Sequence, residues 1–253
     1  MGDVIIEQRE RVGFITLNRV KRNNALVPEF LEEIREGIKR LDADKSLCAI
    51  ILKAEGKVFS TGGDVKGFYN HRQDLKMYSE SVVGLLNQLI MDMIHCSKPI
   101  ITAVNGMVTG GSMGLVLASD IVLLSPRATF TPYYATVGFS PDGGWTALLK
   151  EMIGIKRAAN ILMTDTTITP KDALDWGIAS KVIEEKSLYE EAEKIAKRIS
   201  TLKKGSLQNT KKLLWNEKKV VADLEKEKKA FIEQISGDEG QTGMKEFLDS
   251  LKR

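Results

Sequence analysis

From Pro99 to Ser119 the chain carries no charged residue. A stretch of that length either crosses a bilayer, which takes about 20 mainly apolar positions, or runs through the middle of a folded domain. Its interior decides between the two. Thr102, Asn105, Thr109 and Ser112, together with Gly106, Gly110, Gly111 and Gly114, cut it into a short apolar strand at 100–104, a glycine-rich loop and the start of a small-residue helix. The stretch therefore reads as protein core. The same order of strand, glycine loop and helix occurs upstream: Cys48-Ala49-Ile50-Ile51-Leu52 has the length of a buried strand, and the following Gly56 to Gly63 segment ends at Asp64, a natural N-cap.

The rest of the chain fits around these two units. Val4 to Glu7 and Val12 to Leu17 predict a hairpin across the charged link 8–11, and Pro28 opens a helix with Leu31, Ile34, Ile38 and Leu41 on one face. A second helix is predicted from Met77 to Ile94, until Ser97-Lys98-Pro99 stops it. Ile121 to Leu124 and Ala128 to Phe130 read as strands, and Pro141-Asp142-Gly143-Gly144 as a turn before an apolar helix through Leu148, Leu149 and Met152. This alternation predicts an α/β core over 1–185. Beyond it, over 186–253, the texture becomes helical, first with Leu188, Ala192, Ile195, Ile199 and Leu202 at amphipathic spacing and then in lysine-rich stretches carrying Leu207, Leu214, Val221, Leu224, Phe231 and Ile235.

Charge narrows the partners. Thirty-seven Lys and Arg against 34 Asp and Glu leave +3 over 253 residues, too nearly balanced for the basic footprint of a nucleic-acid binder. The C-terminal lysines are interleaved with Asp223, Glu225 and Glu227, which reads as a solvated face rather than an RNA surface. Cys48 and Cys96 lie far apart with no histidine at ligand spacing, so no metal site is expected. Two reduced thiols, and an N-terminus whose early charges do not suit a signal peptide, point to the cytoplasm.

Gly110-Gly111-Ser112-Met113-Gly114 satisfies G-x-S-x-G between a strand and a helix, the setting of a hydrolase nucleophile. Such a triad needs its histidine after the serine, whereas His71 and His95, the chain's two histidines, both precede it. Ser112 is therefore read as packing a helix start. A dinucleotide loop fails as well, because Thr109 stands where its first glycine belongs. What remains is a pair of glycine loops, 60–64 and 109–114, each offering unshielded backbone N–H groups at a helix start. Two such donors converging make an oxyanion hole.

At this point the chain resembles the crotonase, or enoyl-CoA hydratase/isomerase, superfamily. The resemblance runs in order through Leu17-Asn18-Arg19 with Asn24-Ala25-Leu26, Phe59 to Lys66, Lys98-Pro99-Ile100 through Asn105-Gly106 and Gly110-Gly111 to Asp120, Gly138 to Gly144, and Ala173 to Gly177. It implies a crotonase-like spiral of repeated ββα units, a C-terminal α-helical region used in trimer packing, often doubled to a hexamer, and acyl-CoA thioester substrates of fatty acid metabolism. CoA would enter as part of the substrate, with no separate cofactor, metal, nucleic acid or membrane. By position, Gly63 and Gly111 would be the oxyanion-hole donors.

The family's hydratases use two glutamates, whose positions here hold Gly114 and Tyr134. Neither side chain activates water as a carboxylate would. Asp142 stands where ring-opening, isomerase and dehalogenase members carry a catalytic aspartate. From local sequence alone it is equally a turn and cap residue; with the resemblance it becomes the candidate acid/base, its pKa raised by apolar neighbours such as Phe130, Phe139 and Trp145. Ala25, Gly62, Lys66, Gly110, Tyr134 and Phe247 complete the expected substrate- and CoA-binding set, with Arg19, Lys21 and Arg22 in the same turn as Ala25. Ser250 holds the place of the family's usual C-terminal lysine, and Lys252 comes two residues later. The expected activity is a double-bond shift in an enoyl-CoA. The alternatives are a hydratase with a relocated water-activating group, nucleophilic use of Asp142 as in a dehalogenase, and an acyl-CoA-binding protein without turnover. Pocket walls are expected from the region between Tyr69 and Leu86.

Overall fold

The structure is a computed structural model and describes residues 2–251. It opens on the antiparallel hairpin β1 (Val4–Arg9) and β2 (Val12–Leu17). The strands run further into the charged link than the sequence suggests, because Glu10 adopts a φ of 52° and closes the hairpin with Arg11 alone. Helix α1 (Pro28–Ala43) starts on its proline, whose fixed φ suits a first helical turn, and buries Phe30, Leu31, Ile34, Ile38 and Leu41.

The chain then repeats a single device. β3 (Ala49–Ala54), β4 (Val58–Ser60), α2 (Val65–Asn70) and α3 (Leu75–His95) form one round. The next rounds are β5 (Ile100–Val104), β6 (Met107–Thr109) and α4 (Met113–Leu117), then β7 (Ile121–Leu124), β8 (Phe130–Thr131) and α5 (Tyr134–Val137). Each round gives one strand to each of two sheets and returns through a helix, which is the expected ββα spiral. After α6 (Leu149–Ile153), α7 (Ile155–Thr164) and α8 (Pro170–Asp175), strand β9 (Lys181–Val182) completes a six-stranded sheet of order β1-β2-β3-β5-β7-β9. All of its pairings after the first are parallel. The smaller sheet, β4-β6-β8, is parallel throughout and sets the ends of β4 and β6, and hence the two glycine loops, side by side. Ligands of open parallel sheets bind beyond such carboxyl ends.

The central strands are apolar on both faces because both faces are covered. Ile50, Leu52, Ile100, Val104 and Leu124 join the main core with α1 and α3. Ala49, Ile51, Ile101, Ala103 and Leu123 face a second core completed by Leu188, Ala192, Ala196 and Ile199 of α9 (Leu188–Ser200). The later helices also share the main core: after α10 (Lys204–Leu214), α11 (Glu217–Ser236) packs along α3 and contributes Leu224, Phe231 and Ile235. α12 (Asp238–Ser250) then lies against α2, α5 and α11. The uncharged stretch becomes β5, β6 and α4, and among the described residues no helix is long and apolar enough to cross a membrane.

Candidate active site

The first glycine loop is stitched to the segment at 23–26. Leu26 N–H donates to the Gly62 carbonyl at 2.7 Å, Asp64 N–H to the Leu26 carbonyl at 3.1 Å, and the Ser60 hydroxyl to the Asn24 carbonyl at 2.7 Å. The fully buried Asn24 side chain reaches back to the Phe59 carbonyl at 3.0 Å. Asp64 caps α2 as the sequence suggested, accepting from Gly67 N–H at 3.1 Å. Gly62 has a φ of 72°, and a Cβ there would stand 2.5 Å from the Thr109 carbonyl oxygen. The two glycine loops thus touch backbone to backbone, an approach open only to glycine.

Ser112 performs the packing role expected of it. Buried, it donates to the Thr109 carbonyl at 2.6 Å, with the Ser60 carbonyl 3.1 Å away. A third segment closes over both loops. Trp145 Nε1–H donates to the Gly110 carbonyl at 2.8 Å, and a Cβ on Gly143 would collide with the Gly111 backbone. This brings the Asp142 carboxyl over Gly111: a Cβ at 111 would lie 3.0 and 3.1 Å from its two oxygens and 2.8 Å from Leu86 Cδ2. At Gly114 a side chain would meet Ile90 Cδ1 at 2.6 Å and the Gly143 carbonyl at 3.0 Å, so one could enter only by displacing Ile90 and crowding that backbone.

Asp142 is only 5% exposed. The Tyr134 hydroxyl donates to its Oδ1 at 2.5 Å and lies 3.0 Å from its carbonyl oxygen. Burial is the main reason the carboxyl is pushed up to about 7; the Tyr134 hydrogen bond opposes the shift and the negative charge of Glu227 adds to it. Tyr134 is itself driven well above the usual phenol range, by burial first and then by Asp142. The cap reading of Asp142 does not hold: α6 begins several residues later, at Leu149, and its N-cap position is Leu148, with no side-chain cap. The amides of the turn that follows Asp142 go instead to Glu227 of α11, whose Oε2 accepts from Gly144 N–H at 2.8 Å. Its Oε1 accepts from Thr146 N–H at 2.6 Å, the Thr146 hydroxyl at 2.7 Å and Ala147 N–H at 2.8 Å. The charge pattern placed Glu227 on a solvated face; it is 3% exposed. Flanking lysines hid a buried acceptor, and the periodic Leu224, Phe231 and Ile235 were the signal that its helix lies against the core.

Gly63, Gly111, Tyr134 and Asp142 border one cavity of about 630 Å³. Val82 and Leu86 line it, as expected of that region, joined by Phe68, Phe139 and Phe231; Tyr69 and Phe130 do not. Phe68, Phe139 and Phe231 meet at ring separations of 5.5–6.2 Å, mostly edge to face. Lys21, Arg22, Ala25, Lys66, Gly110 and Phe247 also border it. Gly62 does not; its place is against Thr109. Arg19 does not border it either, donating to the Ala25 carbonyl at 2.9 Å and pairing with Asp3 at 3.2 Å. Lys252 lies outside the described residues. His71 stacks on Tyr78 at 4.1 Å on the exterior, and His95 ends α3 beside Glu217. Among the described residues no cluster of His, Cys, Asp and Glu could hold a metal ion. A carboxyl that titrates near neutrality at the wall of a largely apolar cavity can both take and return a proton.

Comparison with known proteins places the chain. The family model for enoyl-CoA hydratase/isomerase matches residues 7–253. A trans-2-decenoyl-acyl-carrier-protein isomerase of Streptococcus mutans is 31% identical over 210 residues, 81% of this chain and 78% of that protein. 4-Chlorobenzoyl coenzyme A dehalogenase-2 of an Arthrobacter species is 29% identical over 205 residues, 78% of this chain and 72% of its own length. The crystal structure of an enoyl-CoA hydratase from Bacillus halodurans shares the fold at a TM-score of 0.91 and 24% identity, covering 97% of this chain and all of that one. The isomerase and the dehalogenase carry different named reactions, and the chain belongs to the enoyl-CoA hydratase/isomerase family of acyl-CoA enzymes.

Proposed function

We propose that the protein is an enoyl-CoA isomerase that moves a double bond through an enolate held by Gly63 and Gly111, with Asp142 as the acid/base. The observation that carries this reading is the buried Asp142 carboxyl, poised near neutrality directly over Gly111. Asp64 also borders the cavity, but it accepts from Gly67 N–H and sits 3.9 Å from Arg19. A two-carboxylate activation of water has no second acid to draw on at the family positions, since one is Gly114 and the other is Tyr134.

In the proposed reaction the thioester oxygen lies between the two glycine N–H groups, whose bonds to it strengthen as it gains charge; one such donor contributes about 3–4 kcal/mol to the transition state. Asp142, as carboxylate, takes a proton from C2 of a 3-enoyl thioester, and the electrons spread into a dienolate. The resulting carboxylic acid returns the proton at C4, which leaves the 2-enoyl isomer and regenerates the carboxylate. Tyr134 occupies Oδ1, so Oδ2 is the oxygen assigned to this transfer. Lys21, Arg22 and Lys66 at the cavity border supply positive charge for CoA phosphates, and Phe247 an apolar contact for the pantetheine. The same family reading extends to trimeric assembly, which the exposed Ile155, Met163, Leu213 and Leu214 side chains support.

The test is conversion of a 3-enoyl-CoA to its 2-enoyl isomer by wild type and Asp142→Ala. The variant is expected to lose roughly 10²–10⁴-fold in kcat, the usual range for a positioned acid/base. Equal rates would remove Asp142 from the mechanism. Fast loss of enoyl absorbance through water addition would make the protein a hydratase, and tight CoA-thioester binding without turnover would make it a carrier.

A further inference from the structure

We infer that Glu227 is a positioning residue for Asp142: it takes over the amides of the turn that Asp142 would otherwise cap, and so leaves the Asp142 carboxyl free to face substrate. The inference rests on the reading of Asp142 as the acid/base. A Pro-Asp-Gly-Gly turn ordinarily folds its aspartate back onto the backbone N–H groups that follow, as Asp64 does at α2. At 142 this does not happen. The N–H groups of Gly144, Thr146 and Ala147 all point at a carboxylate carried by a helix some eighty residues later in the chain, and the Thr146 hydroxyl joins them. Four donors to one buried carboxylate satisfy its acceptor sites and fix the turn from outside.

The consequence reaches the reacting atoms through two short links. The clamped turn carries Trp145, whose indole N–H holds the Gly110 carbonyl, and Gly143, whose backbone presses on Gly111. Base and second oxyanion-hole loop are thereby set by one external anchor. Burial pushes the Glu227 carboxyl up while its four donors favour the carboxylate, and as a carboxylate it is a second negative group near Asp142 that favours the protonated form there. Glu227 therefore acts on where the carboxyl sits and on the pH at which it ionises. A neutral residue of similar shape would keep part of the first effect and none of the second.

The experiment compares wild type, Glu227→Gln and, as a control on the same helix face toward Lys219 and Lys226, Asp223→Asn. Each is read for folding by thermal melt, for kcat and KM against pH, and for the ionisation of Asp142 by ¹³C-carboxyl NMR without substrate, the signal being assigned by its loss in Asp142→Asn. In Glu227→Gln the amide NH₂ must face at least one backbone N–H, and the charge is gone. The variant is expected to fold, to lose on the order of 10-fold in kcat with little change in KM, and to ionise Asp142 at lower pH than wild type, with the acid limb of kcat moving the same way. Asp223→Asn is expected to leave both profiles in place. An unmoved Asp142 titration in a folded Glu227→Gln protein overturns the assignment, and so does a Glu227→Gln chain that cannot fold, which would make the residue a folding determinant only. Because the NMR reading needs no turnover, a failure of Asp142 as the acid/base would appear separately, as activity retained in Asp142→Ala.

Discussion

The loop at 60–64 and the loop at 109–114 both leave a strand of the smaller sheet and both lead into a helix, yet different neighbours hold them. The first is hydrogen-bonded along its length to the 23–26 segment, and the space beside Gly63 is filled by the edge of the Phe68 ring, 2.8 Å from where a Cβ would be. The second is pressed between the first loop and the 142–145 turn, and the space beside Gly111 is filled by the Asp142 carboxyl and Leu86. One glycine therefore abuts the edge of an aromatic ring, and the other abuts the group proposed to move the proton. On the proposed mechanism this sets the first donor apart from the base and couples the second to it.

The strongest way to break that contrast is Gly111→Ala. Its N–H survives, but the new methyl must displace either Leu86 or the Asp142 carboxyl by tenths of an ångström, in a core too dense to yield freely. A kcat loss on the order of 10²–10³-fold is expected in the 3-enoyl-CoA assay, with the fold retained by circular dichroism, since small misplacements of a reacting group cost that much. Near-wild-type turnover would show that loop and base are not coupled.

A second way to sharpen it uses stability alone. Asp142 is raised from an ordinary 3.8 to about 7, so the native state holds a proton that the unfolded chain releases. The stability tied to this group is complete below pH 3.8 and drains away as pH rises through 7. Replacing it by Asn, which keeps an acceptor for Tyr134, removes the drain. Denaturant unfolding of Asp142→Asn is expected to match wild type near pH 4 and to exceed it by roughly 4 kcal/mol at pH 8, from about 1.4 kcal/mol per pKa unit. Parallel curves at both pH values would mean that the carboxyl is not held against its own ionisation.

These contrasts also mark what could be read in the sequence. The uncharged 99–119 stretch, the proline at the start of α1 and the Asp64 cap are local patterns whose physics acts within a few residues, and they appear where expected. Gly63, Gly111, Tyr134 and Asp142 came together because ordered motifs carried them. Glu227 did not, because its partners lie some eighty residues away and its own neighbours are lysines. Nor did the crowding at position 114, which depends on Ile90 of another helix and on the backbone of Gly143. The 1–185 and 186–253 division marked a change of texture along the chain, while α9 and α11 pack into the two cores.

The smallest expected effect completes the pair. In Gly63→Ala the methyl meets Phe68 Cε2 at 2.8 Å, the far edge of a side chain rather than a carboxylate or backbone. The 63 N–H remains, and the loop keeps its hydrogen bonds through Gly62 and Asp64. Loss in kcat is expected to stay within about 10-fold, since ring repacking of this size costs of order 1 kcal/mol. The displaced ring should act elsewhere, because Phe68 lines the cavity and packs on Tyr78, Phe139 and Phe231. A changed preference among acyl chain lengths, read as kcat/KM across a 3-enoyl-CoA series, is therefore the expected signature. A Gly63→Ala variant as impaired as Gly111→Ala on every chain length would erase the distinction between the loops, and would mean that the first donor is held as tightly to the chemistry as the second.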